Sequence, residues 1–213
     1  MNDDDKKTVL LYGDSFYWGI YATTGKRHQR QDRVDVVCQQ ELGDDFEVIN
    51  EGLRGRTMFG ENGAFPERDG LTQFGPIFAS QLPIDIVVIM LGTNDINTAT
   101  NHDVKEIAAS LDSYKEKMKY WCEFMKFDVP KVVVLAPPHI NESELVVFRD
   151  LFGGADQYID PLAAELETKA VSLGWSFLDL RPVVSSSGMD GLHLDPQQSV
   201  ILGQKIAETI KTL

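Results

Sequence analysis

The stretch "VLLYGDSFYWG", Val9 to Gly19, begins as a buried strand and then stops abruptly. The apolar run Val9-Leu10-Leu11-Tyr12 leads into Gly13-Asp14-Ser15, with Phe16, Tyr17 and Trp18 behind it. If the run is a strand of an open α/β sheet, Ser15 stands at its carboxyl edge, where such sheets bind ligands. Three roles suit a serine there: helix N-cap, phosphate ligand or nucleophile.

The rest of the chain predicts such a sheet. Apolar β-type runs recur at Thr8–Tyr12, Phe46–Ile49, Ile84–Leu91, Lys131–Ala136 and Ser176–Leu178. Between them the apolar spacing becomes helical. Val34, Val37, Cys38 and Leu42 make one stripe, closed by Gly43. Val104, Ile107, Ala108, Leu111, Tyr114 and Met118 make a second, in a long helix running to about Phe124. Tyr158 to Leu173, closed by Gly174, is a third, and Pro196 to Leu213 a fourth. Strands alternating with helices predict parallel βαβ units. The expected fold is a three-layer α/β/α sandwich on a flavodoxin-like, mostly parallel five-stranded sheet, in one domain spanning 1–213. Two stretches, Asn50 to Gly70 and Pro137 to Gln157, resist this scheme. Both follow strands, so both are expected as loops over the carboxyl edge, beside Ser15.

Composition narrows the classes. With 213 residues, 43% hydrophobic, the chain can bury a sizeable core. Lys and Arg total 20 against 33 Asp and Glu, a formal charge of −13 that repels nucleic acid and anionic lipid. The start Asn2-Asp3-Asp4-Asp5, followed by Lys6-Lys7, is too polar for a signal peptide. The apolar run Ile86 to Leu91 is too short to span a bilayer. Cys38 and Cys122 read as free buried thiols, and the cytoplasm is the expected compartment.

A nucleophilic Ser15 needs a base within reach and donors for a developing oxyanion. The base candidate lies in "MDGLHLD", where His193 follows Asp190 by three residues. A turn there would let Asp190 accept from one imidazole nitrogen and leave the other as base. The alternative is a plain Asp-Gly turn beside a loop histidine. His28, His102 and His139 have no carboxylate so near in a comparable loop. For the oxyanion, "IMLGTNDIN" carries Asn94 off the end of the third strand, unless Asn94 merely closes an Asx-turn. "NEGLRGRT" carries Gly55 off the end of the second, with Gly52 the other candidate. Arg54 and Arg56 flank Gly55, either at an entrance or paired with carboxylates. Phe16, Tyr17, Trp18, Phe59, Phe65 and Phe74 are aromatics for a pocket wall or for the core.

Other chemistries fit less well. Neither G-x-G-x-x-G after the first strand nor G-x-x-x-x-G-K-[ST] is present, which weighs against a phosphate-binding module. A metal site through Asp190, His193 and Asp195 lacks a third histidine at ligand spacing.

Four blocks occur in order: Gly13-Asp14-Ser15, Gly55, Gly92-Thr93-Asn94-Asp95 and Asp190-Gly191-Leu192-His193. In these the chain resembles the SGNH, or GDSL-type, hydrolases across nearly its whole length. "YGDSFYWG", "FEVINEGLRGRT" and "VVIMLGTND" further resemble the arylesterase/acyltransferase branch. The resemblance implies Ser15 as nucleophile, His193 as base, Asp190 as its orienter, and an oxyanion hole from the Ser15 and Gly55 N–H groups and the Asn94 amide. It implies a small-molecule ester substrate with a short acyl group, acyl transfer to alcohols, no cofactor, no metal and a homo-oligomer. Within it, a carbohydrate acetylesterase is the competing substrate reading.

Overall fold

The segment Ile86-Val87-Val88-Ile89-Met90 is apolar and buried at every position, as a strand covered on both faces must be. It is β3 of five parallel strands: β1 (Lys7–Gly13), β2 (Phe46–Gly52), β3 (Ile86–Met90), β4 (Lys131–Ala136) and β5 (Ser176–Asp179). They pair in the order β2-β1-β3-β4-β5 in a computed structural model that describes residues 6–213. The acidic stretch Asn2-Asp3-Asp4-Asp5 lies outside the described residues.

Side chains alternate across the sheet and so divide the core in two. Leu10, Tyr12, Val87 and Ile89 face one way, onto α3 (Gly70–Gln81), α4 (Val104–Ala109), α5 (Leu111–Met125) and α7 (Ile159–Leu173). Val9, Leu11, Val88 and Met90 face the other, onto α1 (Ser15–Trp18), α2 (Val34–Leu42) and α8 (Pro196–Ile210). This is the expected three-layer, flavodoxin-like sandwich, with every strand parallel. Cys38 and Cys122 are both buried and free, one in each core half. Among the described residues no helix is long and apolar enough to cross a membrane.

Three elements depart from the expected pattern. The long helix through Val104 to Phe124 breaks at Ser110, whose hydroxyl donates to the Ile107 carbonyl at 2.7 Å. A serine that bonds its own preceding turn competes with the helical ladder. Helix α3 begins at Gly70, where the expected loop ends, in a stretch for which no helix was expected, and forms although it contains Gly70, Gly75 and Pro76. Asp69 starts it by accepting from the Leu71 and Thr72 N–H groups, and Phe74 and Phe78 anchor it in the core. Inside the stretch Pro137 to Gln157 lies α6 (Val146–Phe152), which leaves Val146 and Val147 exposed.

Phe78 is fully buried and stacks on Phe74 at 5.3 Å. Phe78→Ala is expected to cost roughly 3–5 kcal/mol of stability, read by urea denaturation. A loss near zero would mean that α3 does not hold this core half.

Candidate active site

Strand β1 leaves the sheet at Gly13, and the next residue closes the turn. The Asp14 carboxylate accepts from the Phe16 N–H at 3.0 Å, so Asp14 is the N-cap of α1. Ser15 is the first residue inside that helix, and capping is thereby removed from its possible roles. Its side chain is free to turn toward the sheet edge.

What it meets there comes from the far end of the chain. The loop before α8 folds on Gly191, which sits at φ +69° where a Cβ would come within 2.2 Å of the Asn141 carbonyl oxygen. That turn sets Asp190 and His193 face to face. Asp190 Oδ2 lies 2.7 Å from His193 Nδ1, while Oδ1 accepts from the Leu192 and His193 N–H groups at 3.0 and 2.9 Å. His193 Nε2 lies 3.0 Å from Ser15 Oγ. Burial pushes the Asp190 carboxyl upward, but the imidazole and the two backbone donors outweigh it and hold the group below the usual carboxylate range. Phe148 meets the imidazole edge-on at 5.4 Å and Phe16 tilts against it at 6.4 Å. The loop itself is stitched to the one after β4 by Asn141 N–H to Gly191 O and Glu144 N–H to Met189 O.

The ends of β2 and β3 complete the edge. Of the two glycine candidates, Gly52 donates its N–H to Asn50 Oδ1 at 2.8 Å. Gly55, at φ +77°, lines the cavity beside Ser15. Among the described residues no backbone acceptor takes the N–H of Gly55 or of Ser15. Asn94 Nδ2 lies 3.2 Å from Asp14 Oδ2 and 3.1 Å from the Arg56 carbonyl. Both amide hydrogens therefore have protein acceptors, and a substrate oxygen would have to share or replace one.

Several residues here were not foreseen as site residues. Asp95, fully buried, accepts from Met58 N–H at 2.8 Å and more weakly from Phe59 N–H, and so holds the loop that carries Gly55. Burial raises its carboxyl; His102 Nδ1 at 3.3 Å opposes this, and that bond raises the imidazole in turn. Asn97 donates to the Asn94 carbonyl at 2.8 Å. Arg56 is not at an entrance: it is buried over the Tyr12 ring at 4.3 Å and donates to the carbonyls of Gly13 and Glu51. In sequence, Asp95 stands in the block Gly92-Thr93-Asn94-Asp95 and Asn97 follows it in "TNDIN", with no role attached to either.

A cavity of about 150 Å³ opens on Ser15, His193, Gly55 and Asn94. Its apolar wall is Phe65, Phe148, Leu151, Phe152 and Leu192. Of the aromatics considered from sequence only Phe65 lines it; Tyr17 and Phe74 are fully buried core. A second cavity of about 580 Å³ adjoins it across Phe148 and Phe152, reaching Asp190 from behind.

The other histidines are placed elsewhere. His102 and His139 do find carboxylates, Asp95 within the same loop and Asp156 from beyond α6. Among the described residues neither imidazole is hydrogen-bonded to a hydroxyl. His28 Nδ1 contacts Ser199 Oγ at 3.2 Å, but that pair is sealed in the core, and no carboxylate of the described residues hydrogen-bonds the ring's other nitrogen. Among the described residues no three His, Cys, Asp or Glu side chains gather as a metal-binding group.

Comparison with known proteins places the chain in a family. The profile of the GDSL-like lipase/acylhydrolase family matches residues 11–198. Est24, a carbohydrate acetylesterase from Sinorhizobium meliloti, superposes with a TM-score of 0.91 at 29% identity, covering 97% of this chain and 99% of its own. The native aryl esterase of M. smegmatis superposes with a TM-score of 0.91 at 31% identity, with the same coverage of 97% and 99%. Comparison with curated proteins returned no match.

Two substitutions test the frame. Gly191→Ala forces a Cβ into a backbone oxygen and is expected to cost roughly 1–3 kcal/mol from strain alone. A fall in both Tm and esterase rate would be measured; an unchanged rate would mean that the turn does not set His193. Asp14 is pushed up to about 7 by burial, reinforced by Asp95 and opposed by the Phe16 N–H and Arg56. The folded chain then keeps a proton that the unfolded chain releases above 3.8, so this group lowers stability as pH rises from there through about 7. Asp14→Asn removes that slope. Its Tm relative to wild type is expected to climb between about pH 4 and about pH 8, by roughly 2–4 °C for each kcal/mol relieved. A difference flat with pH would refute the buried, proton-holding carboxyl.

Proposed function

The chain belongs to the GDSL-like lipase/acylhydrolase family and is a carboxylic-ester hydrolase; we propose that it works through an acyl-enzyme on Ser15 and takes short acyl groups, acetyl above all. The observation that carries this reading is the unbroken line Asp190–His193–Ser15, at 2.7 and 3.0 Å, ending on a cavity.

In the first half-reaction His193 Nε2 takes the Ser15 proton and Oγ attacks the ester carbonyl carbon. Asp190 accepts from Nδ1, which fixes the tautomer and stabilises the imidazolium. The Ser15 and Gly55 N–H groups hold the oxyanion. Asn94 joins them by turning an amide hydrogen from a protein acceptor to the charged oxygen, a stronger acceptor than the Arg56 carbonyl it leaves. The tetrahedral species collapses, the carbon–oxygen bond to the alcohol breaks, and His193 returns the proton to the departing alkoxide. Water, deprotonated by His193, then releases the acid; a second alcohol in place of water gives acyl transfer.

Cavity size supports the short acyl group. Ligand pockets for drug-sized molecules run about 300–1,000 Å³, and about 150 Å³ walled by Phe148, Leu151 and Phe152 is well below that. Likeness to an aryl esterase and to a carbohydrate acetylesterase supports acetyl esters from either class of alcohol.

Ser15→Ala and His193→Ala are each expected to lose roughly a thousandfold or more in kcat on p-nitrophenyl acetate, and Asn94→Ala about a hundredfold. Retention of roughly a tenth of wild-type activity by a clean Ser15→Ala preparation would overturn the nucleophile. Faster cleavage of the octanoate than of the acetate would overturn the acyl preference. A panel of aryl acetates and acetylated sugars, with and without an added alcohol, ranks the leaving groups and the acceptors.

A further inference from the structure

The small cavity carries a charge pattern that ester hydrolysis does not need. Besides the reacting groups its polar lining includes two arginines, Arg54 and Arg68, and no carboxylate. In a chain with 33 Asp and Glu against 20 Lys and Arg, that is a local inversion of sign. Neither arginine is ion-paired with a carboxylate of the described residues, although Arg181, Lys119, Lys169 and Lys205 all are.

Both guanidinium groups are held in position. Arg54 lies over the Trp18 ring at 5.3 Å, and Trp18 is fixed beneath it by α1. Arg68 Nε donates to the Arg54 carbonyl at 2.8 Å, and its Nη1 to the carbonyls of Pro66 and Glu67 at 3.0 and 3.1 Å. A guanidinium has five N–H donors. Arg68 therefore keeps its Nη2 pair uncommitted, and the Arg54 guanidinium makes no hydrogen bond among the described residues. The adjoining larger cavity has the opposite character, with Glu142, Asp156 and Asp190 against Arg149. An anion is drawn to the first cavity and repelled by the second.

We propose that Arg54 and Arg68 recognise an anionic group, a carboxylate in the first instance, on the alcohol portion of the ester. This rests on the esterase reading above. With a short acyl group bound at the buried Ser15, the part of the substrate that extends to the exposed Arg54 is the alcohol. Planar, forked guanidinium groups suit a carboxylate or a phosphate. An unpaired positive rim on an acidic protein also steers such an ester to the mouth and away from the rest of the surface.

The test compares two acetyl esters of similar shape, 4-acetoxybenzoate, charged at neutral pH, and 4-acetoxybenzamide, neutral. The readout is the ratio of their kcat/KM values, in wild type, Arg54→Gln, Arg68→Gln and the double variant. Wild type is expected to favour the benzoate by roughly tenfold at low salt. The ratio is expected to fall at least about fivefold in Arg54→Gln, further in the double variant, and to shrink in wild type as salt screens the pair. A ratio that stays within about twofold of wild type in the double variant overturns the proposal while leaving the esterase in place. Hydrolysis of neither ester, with no labelling of Ser15 by a fluorophosphonate, overturns the esterase reading itself.

Discussion

Parallel pairing fixes where the strands stop. Gly13 of β1 lies in register with Gly52 of β2 on one side and Met90 of β3 on the other, so three strands end level. Ser15, Gly55 and Asn94 then fall two, three and four residues beyond those ends, on one edge, at the point where the strand order reverses. A slip of one residue in either pairing would turn alternate side chains to the wrong face and move one of the groups out of reach. The two halves of the core, which hold the register, are thus also what holds the site. His193, 178 residues from Ser15, is brought to the same edge by α8 packing against α2.

The sheet places the ends of the loops; buried polar groups place the rest. After Gly52 the chain has no regular structure until α3, yet Gly55 to Thr57 are buried. The Asp95 carboxylate accepts from Met58, Tyr114 donates its hydroxyl to the Met58 carbonyl at 2.7 Å, and Asn94 donates to Arg56. The loop after β3 therefore holds the loop after β2, and hydrogen bonds tie together the groups beside the nucleophile. A carboxylate in such a place is costly unless it is satisfied. Here two backbone donors and the His102 imidazole satisfy it.

Much of this was legible in the chain, because strand periodicity and turn chemistry are local. All five strands, the helices ending at Gly43 and Gly174, and the residues Ser15, Gly55, Asn94, Asp190 and His193 followed from spacing, or from spacing joined to the family resemblance. Tertiary effects were not legible. Helix α3 carries two glycines and a proline and exists because Phe74 and Phe78 bury against the sheet. Arg56 reads as a surface cation beside a glycine, and only the fold shows it beneath the loop. The carboxylate of His139 comes from another element, and that of His102 comes from the far end of its own loop, seven residues away, so immediate neighbours in sequence could not reveal them. Phe148 and Phe152 sit in a stretch that looked like plain loop, yet they wall the cavity.

A buried carboxyl raised by its surroundings explains one more feature of the "GDS" turn. Asp14 is buried beside a second buried carboxyl, Asp95, and an asparagine could cap α1 as well. What an asparagine could not do is accept on both sides. The carboxyl of Asp14 receives the Phe16 N–H on Oδ1 and the Asn94 amide on Oδ2. An amide offers one accepting oxygen, and its nitrogen would point a donor at the Asn94 donor. The turn that carries Ser15 and the turn that carries Asn94 are joined through those two oxygens, across the seam between β1 and β3. Local stability is spent on that junction, as proteins do where a site must be held rather than merely folded.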